Sequence, residues 1–474
     1  MSETISASKP SPDLTPEAQT GICPVCGRTS GNALIDLSLI ETDLRVLIEN
    51  NLPGVQSSAV CLQCLELFNR AKRQIDSHAA VFAQTSFVLP TPLRMNADER
   101  FIGRDVTIAF LDSGFYAHPD LTLPVNRIVA YHSIFDSTDD PTSLETTDVS
   151  SWHGMMTSVV AAGNGYLSDG FYRGLAPESN LVLVKIGNAR HIPDDDIDRG
   201  LQWVLKHREE YGIQIVNISA GGDFEKSYLT SALCQTVERA VSEGLIVVCA
   251  VGNAGLEPGH PVLPPANSPA AISVGGLDDQ NSIDRAKRGM YRSSYGPTID
   301  GLQKPEVIAP SIWVAAPILP HTPTADAALL YSELDAAADE KLPSIIEAHK
   351  GVDEDLDEAS ALRVPLLRQL ITIKLREGSV ISRYYKYVDG TSFASPIVAS
   401  TIACMLEANT KLTPQQVKRI LIDTAERVAG IEVERQGWGV VSPGRAVEVA
   451  RSRHSGQPLD AGRMDYLKTQ RGPR

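Results

Sequence analysis

The run VTIAFLDSG at residues 106–114 joins β-branched and other apolar residues to a polar turn. Three further apolar runs follow along the chain, at 181–184, 213–218 and 245–250. Continuous apolar runs of this length are typical of strands buried on both faces of a parallel sheet. Between the second and third runs, apolar residues recur at helical spacing after the acidic residues 194–196, which suit a helix N-terminus. The pattern predicts an α/β fold in which helices cover both faces of a mostly parallel central sheet.

Composition and charge narrow the classes of function. The chain has 474 residues, of which 43% are hydrophobic and 21% charged, and its formal net charge is -15. Such a charge repels phosphate backbones, so we expect no nucleic-acid partner. The first twenty residues lack the basic and apolar regions of a signal peptide, and we find no apolar run long enough to span a bilayer. The seven cysteines do not form an even secreted disulfide framework. These observations predict a cytoplasmic protein without a membrane partner.

Shifts in composition divide the chain into segments. The first residues are rich in Ser, Pro and Thr, which predicts disorder. Residues 321–360 are strongly acidic, and helical patterns occur at 327–341 and 365–377, which together indicate a helical insertion. The predicted segments, in chain order, are a disordered leader at 1–20, a cysteine-containing module at 21–82, a connector at 83–100, the α/β domain at 101–455 with its insertion at about 320–385, and a polar tail at 456–474.

Four polar residues lie at the ends of predicted strands or the beginnings of predicted helices, where α/β folds commonly have their active sites. Hydrolysis of an amide needs a nucleophile, a base, a group that orients the base, and donors for the oxyanion. Asp112 follows the first apolar run, and His153 begins a helix of small residues in SWHGMMTSVVAAG. Asn253 follows another apolar run in VVCAVGNAG, where its side-chain amide can donate to an oxyanion. Ser392 lies at the beginning of an apolar helix in DGTSFASPIVAS, where backbone N–H groups favour negative charge.

The four segments and their order closely resemble the subtilisin family of peptidases. The resemblance covers roughly residues 100–320 and 385–450, and it extends to GLAPES at 174–179, IVNISAGG at 215–222 and KPEVIAP at 304–310. It implies a subtilisin-like three-layer fold and a serine endopeptidase that acts on proteins or peptides. It also implies a catalytic triad of Asp112, His153 and Ser392, with Asn253 in the oxyanion hole.

Substrate binding and calcium are further implications of the resemblance. Residues Ser219, Ala220 and Gly221 are implied to pair with an extended substrate as an added strand. Gly187 and its neighbours would form the opposite wall of the cleft, although the family's glycine-rich pattern is not present there. Family members often bind calcium, for which this sequence offers no assignable ligand set.

Two positions depart from the family pattern. Met156 stands where the family has a second histidine in HGTHVAG, and Ile397 stands where it has a histidine in APHVAG. Because neither position belongs to the triad, we interpret both as packing substitutions.

Four cysteines form two CxxC pairs near the N-terminus. Cys23, Cys26, Cys61 and Cys64 can present four thiolates to zinc in tetrahedral geometry, and Gly27 suits the tight turn of such a knuckle. Leucines and isoleucines between the pairs can form the small apolar layer that a metal-stapled module needs. Two redox-active dithiols and incidental buried thiols remain as alternatives, although no thioredoxin-like pattern surrounds either pair. We predict a structural zinc site.

Regulated intracellular proteolysis is the function that these expectations favour. The rival hypotheses are a zinc-dependent adaptor whose peptidase-like domain only binds peptides, and nucleic-acid binding by the cysteine module. The module or the insertion could contact a regulatory protein. The connector at 86–96 and the insertion are also candidates to cover the cleft and restrain activity.

Overall fold

The computed structural model describes residues 21, 23, 34–50, 59–62, 64–66, 68, 69, 72, 88–135, 138–188 and 192–453. The predicted leader, the predicted tail and Cys26 lie outside the described residues. The chain divides into two compact units, Met1–Lys72 and Arg73–Arg474.

The first unit contains a small two-stranded sheet. Strand β1 (Ile35–Asp36) pairs antiparallel with β2 (Ala59–Val60), and helix α1 (Thr42–Asn50) lies between them in the chain. A 3-10 turn (Leu37–Leu39) follows β1, and the Asp36 side chain caps it by accepting from Ser38 N. Among the described residues of this unit, the buried aliphatic and aromatic side chains are those of Leu37, Leu44, Ile48, Val60 and Phe68.

The second unit is built on a parallel sheet. The strands of the unit are β3 (Thr107–Asp112), β4 (Ile128–Ser133), β5 (Asn180–Lys185), β6 (Ile213–Ile218), β7 (Ile246–Ala250), β8 (Ile272–Asp278), β9 (Gly289–Met290), β10 (Gly296–Pro297), β11 (Gln303–Lys304), β12 (Val307–Pro310), β13 (Val314–Pro317) and β14 (Tyr385–Val388). Seven of these strands form the parallel sheet in the order β12-β8-β7-β6-β3-β5-β4, and the short strand β9 pairs antiparallel with β8. All four predicted apolar runs form strands of this sheet, as β3, β5, β6 and β7.

Helices cover both faces of the sheet. The α-helices of the unit are α2 (Thr91–Arg94), α3 (Pro119–Thr122), α4 (Ser151–Ala162), α5 (Asp194–Tyr211), α6 (Ala232–Ser242), α7 (Pro323–Ala336), α8 (Leu342–Ala348), α9 (Glu354–Ala359), α10 (Val364–Glu377), α11 (Thr391–Ala408), α12 (Pro414–Thr424), α13 (Val433–Gln436) and α14 (Pro443–Ser452). Short 3-10 turns cover Pro141–Leu144, Tyr166–Ser168, Arg285–Lys287 and Asp339–Lys341.

The central strand β3 shows why the predicted run is continuously apolar. Its side chains alternate between two cores, because successive residues of a strand point to opposite faces. Ile108 and Phe110 pack in the core that contains α4 and α11. Ala109 and Leu111 pack in the core that contains α5 and α6. Both faces of the strand are therefore buried, and the predicted three-layer α/β/α fold is confirmed.

The helical insertion lies inside a hairpin. Strands β13 and β14 pair antiparallel, and helices α7 to α10 lie between them in the chain. Helix α7 begins four residues earlier than predicted, because Thr322 caps it by accepting from Ala325 N and Pro323 occupies its first turn. The insertion has a separate apolar core, whose members include Ile318, Leu330, Leu334, Ile346, Leu367, Ile371 and Leu375.

Helix α11 is predominantly apolar. By length and composition it could cross a membrane, contrary to the expectation that no such run exists, and 83% of it is buried inside the unit. Core packing on the central sheet accounts for its apolar character.

Candidate active site

Asp112 is the last residue of β3, and its side chain is only 1% exposed. Its Oδ1 accepts hydrogen bonds from the backbone N of Ser113 at 2.7 Å and from Nδ1 of His153 at 2.8 Å. Its Oδ2 accepts from Oγ1 of Thr157 at 3.1 Å. A buried carboxylate needs such partners to remain charged, and these bonds also fix its orientation.

His153 lies in the first turn of α4, which approaches β3 closely. Gly154 permits this approach, because a Cβ there would lie 2.9 Å from Asp112 Cβ and against the Gly114 carbonyl. Since Nδ1 of His153 donates to Asp112, Nε2 is free to accept a proton. Burial lowers the pKa of His153, but the Asp112 charge and hydrogen bond outweigh it, so the pKa is raised above its ordinary value.

Ser392 lies in the first turn of α11, directly after a turn that only glycine adopts easily. Gly390 has φ +132°, a conformation that L side chains rarely adopt. The Ser392 hydroxyl donates to the Ser219 carbonyl at 3.3 Å, and the Ser219 hydroxyl donates to the Ser392 carbonyl at 2.9 Å. The ring of Phe393, the next residue, lies 5.8 Å from the His153 ring. The start of α11 is thus held between β6 and His153.

Asn253 lies in the loop after β7 with its amide held by the same turn. Its Oδ1 accepts from the backbone N of Thr391 at 3.0 Å and from the Thr391 hydroxyl at 3.1 Å. These two donors assign the oxygen, so the amide NH₂ is available to an acceptor in the cleft. Asn253 is exposed, as an oxyanion donor must be before substrate binds.

A cavity of about 510 Å³ lies beside His153, which is the one of the four catalytic candidates that lines it. All three predicted substrate-binding residues line it. Gly187 is buried beside the cavity, while its neighbours Asn188 and Ile192 form part of the wall. The full lining is Ser113, Trp152, His153, Asn188, Ile192, Ser219, Ala220, Gly221, Gly222 and Asp223.

The structure also shows supporting residues that the sequence reasoning missed. Thr157 binds Asp112 from one helical turn beyond His153, so helical spacing could have indicated it. Asn217 donates to the Ser219 hydroxyl at 3.0 Å and accepts from the Ser395 hydroxyl at 2.7 Å. Asn217 and Ser395 are buried and connect β6 to α11, and no local sequence motif predicts this contact.

Three cysteines of the first unit lie together. The Sγ atoms of Cys23, Cys61 and Cys64 are buried and lie within 4.8 Å of one another, with 3.8 Å between Cys23 and Cys64. Four thiolates at about 2.3 Å from a tetrahedral zinc are separated by about 3.8 Å, whereas a disulfide measures about 2.05 Å. The backbone N of Cys61 also donates to Cys23 Sγ at 3.3 Å, which favours a thiolate. The described thiols therefore fit a zinc site.

The family assignment follows from the domain that carries this arrangement. The model of the Subtilase family, Peptidase_S8, matches residues 103–439. The chain belongs to the subtilase family. The match extends from just before β3 to just after α13, and thus includes Asp112, His153, Asn253 and Ser392.

Two bacterial relatives illustrate the similarity of this subtilase to known proteins. It is 28% identical to Serine protease AprX of Bacillus subtilis (strain 168) over 352 residues, which cover 73% of this chain and 66% of that protein. It is 30% identical to the Major intracellular serine protease of the same organism over 157 residues, which cover 32% of this chain and 44% of that protein. The chain thus spans about two thirds of the length of the first relative and less than half of the second.

Solved structures show the same fold. The CspB protease of Clostridium perfringens has a TM-score of 0.56 at 15% identity and covers 80% of this chain and 98% of its own. Fervidolysin from Fervidobacterium pennivorans, a keratinolytic enzyme related to subtilisin, has a TM-score of 0.52 at 19% identity and covers 78% of this chain and 46% of its own. At these identities the similarity supports the fold alone.

The two departures from the family motifs and the connector have defined surroundings in this subtilase. Met156 and Ile397, the departures from the family motifs, are both buried apolar residues. Within the described part of the connector, Leu89 N donates to Asn281 Oδ1, and Arg94 forms a buried ion pair with Asp279. Neither Leu89 nor Arg94 lines the cavity beside His153, and a role of the connector at the cleft stays a prediction.

Proposed function

We propose that this subtilase is a serine endopeptidase that forms an acyl-enzyme on Ser392. The observation that carries the proposal is the 2.8 Å bond between the buried Asp112 carboxylate and Nδ1 of His153, beside the first turn of α11. An adaptor that only binds peptides would have no need of this oriented imidazole together with Ser392 and Asn253.

The proposed reaction proceeds in two halves. Oγ of Ser392 attacks the carbonyl carbon of the scissile bond while its proton passes to Nε2 of His153. The Asn253 amide stabilises the resulting oxyanion, and the charge of Asp112 stabilises the imidazolium. The C–N bond then breaks, and His153 gives the proton to the departing amine. Water repeats the attack on the acyl-enzyme with His153 again as base, releasing the acid and restoring Ser392.

The resting hydrogen bonds are consistent with this sequence. The Ser392 hydroxyl has one proton, and the structure directs it to the Ser219 carbonyl at the long distance of 3.3 Å. Such a bond is weak, so rotation of the hydroxyl towards His153 costs little. Catalytic hydrogen bonds often tighten only when substrate binds.

Substrate recognition is proposed to be largely through the main chain. Residues Ser219, Ala220 and Gly221 follow β6, and Gly221 is exposed at the cavity. An extended peptide can add to this segment as a strand, which selects for proteins and peptides rather than for one small molecule.

Cleavage of an unfolded protein tests the proposed function. Purified chain is incubated with a reduced, carboxymethylated protein, and new termini are identified by mass spectrometry. We expect internal cleavages that a serine-directed phosphonate abolishes. Release of only terminal residues would contradict an endopeptidase, and an absence of new termini would contradict a peptidase.

The cysteines of the first unit are proposed to hold a structural zinc ion. Cys23, Cys61 and Cys64 supply three thiolates, and Cys26, which lies outside the described residues, is the proposed fourth ligand. The apolar core of this unit is small, and zinc binding supplies folding free energy to modules of this size. A bound zinc ion would therefore stabilise the folded unit.

Metal analysis of the full chain tests the zinc proposal. Protein prepared in a thiol reductant and without chelators is expected to carry about one zinc per chain, and the double variant Cys23→Ser, Cys61→Ser is expected to carry none. Cys234→Ser is the matched control, because Cys234 lies outside the cluster and a serine hydroxyl can keep its bond to Asn267 Oδ1. Zinc-free wild type, or equal zinc in the double variant, would refute the site.

A further inference from the structure

A second cavity, of about 600 Å³, lies next to the candidate cleft. Its walls come from α4, from β14 and from the first residues of the insertion. Most of the surrounding side chains are apolar. The lining includes the apolar side chains of Trp152, Met156, Ile318, Leu319 and Val388 and the basic side chains of Lys386 and His321.

Trp152 borders both this cavity and the candidate cleft. Among the described residues, Trp152 is the one that lines both cavities. Its ring lies 5.2 Å from the His153 ring in an edge-to-face arrangement, and the residue is 42% exposed. None of residues Ser219, Ala220 and Gly221 lines the second cavity. A peptide that pairs with these residues and passes His153 therefore meets the second cavity with a different part of its chain.

Strand alternation directs one cation into this cavity. Lys386 and Val388 lie two residues apart on β14 and both line the cavity, as the two-residue period of a strand requires. The neighbouring tyrosines are engaged elsewhere: Tyr385 donates to Asp120 Oδ2 at 2.6 Å, and Tyr387 donates to the Arg376 carbonyl at 3.3 Å. The face that carries Lys386 thus belongs to the cavity.

Lys386 has no ion-pair partner within the part of the chain that the structure describes. Burial lowers the pKa of its ammonium, and no described carboxylate acts on it in the opposite direction. The adjacent carboxylate, Asp389, is already engaged by the Tyr291 hydroxyl at 2.9 Å and by Arg292 at 3.6 Å. A half-buried ammonium among apolar walls gains more from a bound carboxylate than an exposed one does.

We propose that this cavity is a specificity subsite that binds the side chain of an acidic residue on the leaving side of the scissile bond, with Lys386 as the partner of its carboxylate. The inference rests on the proposed endopeptidase function.

His153 must protonate the departing amine, so the leaving chain passes His153 and Trp152 towards the second cavity. The apolar walls hold the methylene groups of the acidic side chain. A glutamate satisfies both requirements, because its two methylenes can pack beside Trp152 while its carboxylate reaches Lys386.

Paired substrates test the subsite. The substrates are internally quenched peptides that share one sequence before the scissile bond and have amidated C-termini. They carry Glu or Gln at the first, second or third position after the scissile bond. At one position, we expect wild type to favour Glu by roughly fivefold in kcat/KM, as for a partly exposed ion pair. Lys386→Gln is expected to remove this preference. Lys350→Gln is the matched control, because Lys350 is an exposed lysine of the insertion paired only with Glu347 among the described residues, and it should keep the preference.

A peptidyl anilide separates binding from catalysis, because it has no residue after the scissile bond. Its kcat/KM should be unchanged by Lys386→Gln. Equal rates for Glu and Gln at all three positions in wild type, or a preference that survives Lys386→Gln, would overturn the inference. A preference for a free C-terminal carboxylate over its amide, without one for Glu, would also overturn it.

A binding measurement keeps the two proposals distinguishable. The Ser392→Ala chain and the Ser392→Ala, Lys386→Gln chain are titrated with the Glu and Gln peptides. We expect tighter binding of the Glu peptide to the first chain only, whether or not wild type cleaves it. Equal affinities of the Ser392→Ala chain for the two peptides would overturn the subsite. If that chain prefers the Glu peptide but wild type hydrolyses neither the peptides nor the anilide, the result would contradict the endopeptidase function alone.

Discussion

Replacement of Ser392 by alanine is expected to reduce kcat for peptide hydrolysis by about 10⁶-fold, which is the loss known for removal of the nucleophile in subtilisin itself. The physical reason is that alanine has no oxygen to form the acyl-enzyme. The fold should be unaffected, because the hydroxyl makes one long bond, to the Ser219 carbonyl at 3.3 Å, and its removal opens no cavity in the core. Hydrolysis of an internally quenched peptide and thermal unfolding measure the two effects.

Ser400→Ala is the matched control for this variant. Ser400 lies on the same helix, is buried, and donates to the Ile397 carbonyl at 2.9 Å. We expect that variant to keep its activity even if it loses some stability. Undiminished hydrolysis by Ser392→Ala would exclude the proposed nucleophile, and an equal loss in both variants would indicate damage to α11 instead.

Replacement of Asp112 by asparagine is expected to reduce kcat by about 10⁴-fold, the magnitude known for the equivalent change in a trypsin-type triad. The amide cannot hold the charged imidazole, and it favours the wrong tautomer of His153. The pH dependence should also move. In wild type the pKa of His153 is raised by Asp112, so kcat/KM should rise with pH through a value above the ordinary histidine pKa of about 6.5.

The sign of the expected change follows from the groups around His153. Without the Asp112 charge and hydrogen bond, burial remains and lowers the pKa of His153. The residual activity of Asp112→Asn should therefore rise at lower pH than in wild type. Asp139→Asn is the control, because Asp139 binds a different histidine, His132, at 2.8 Å outside the cleft. An acid limb at the same pH in wild type and Asp112→Asn would contradict the assigned pair.

The sheet was predictable because its strands are buried on both faces. Strands β3, β5, β6 and β7 each coincide with a continuous apolar run, and the predicted helix after β5 is α5. The insertion was predictable in its position but less so in its helix ends, since Thr322 and Pro323 set the start of α7 by capping rather than by periodicity. Local sequence signals were thus sufficient to predict a strand or helix whose own residues carry its hydrophobic pattern.

The candidate site likewise contains residues that a local motif predicts and residues that it does not. Asp112, His153, Asn253 and Ser392 each follow a local motif at the end of a strand or the beginning of a helix, so the sequence indicated them. Thr157 was not predicted, although its helical spacing from His153 could have indicated it. The pair of Asn217 and Ser395, and the second cavity around Lys386, depend on elements that are distant in sequence. Nothing local to those residues predicts their neighbours.

Covalent labelling tests the central claim most directly. A fluorophosphonate reacts with an activated serine hydroxyl, and mass spectrometry of the digested protein identifies the modified residue. We expect one adduct per chain, on Ser392, with none in Ser392→Ala and greatly slowed labelling in Asp112→Asn. Stoichiometric labelling of another serine, or an unlabelled Ser392 in folded wild type, would contradict it.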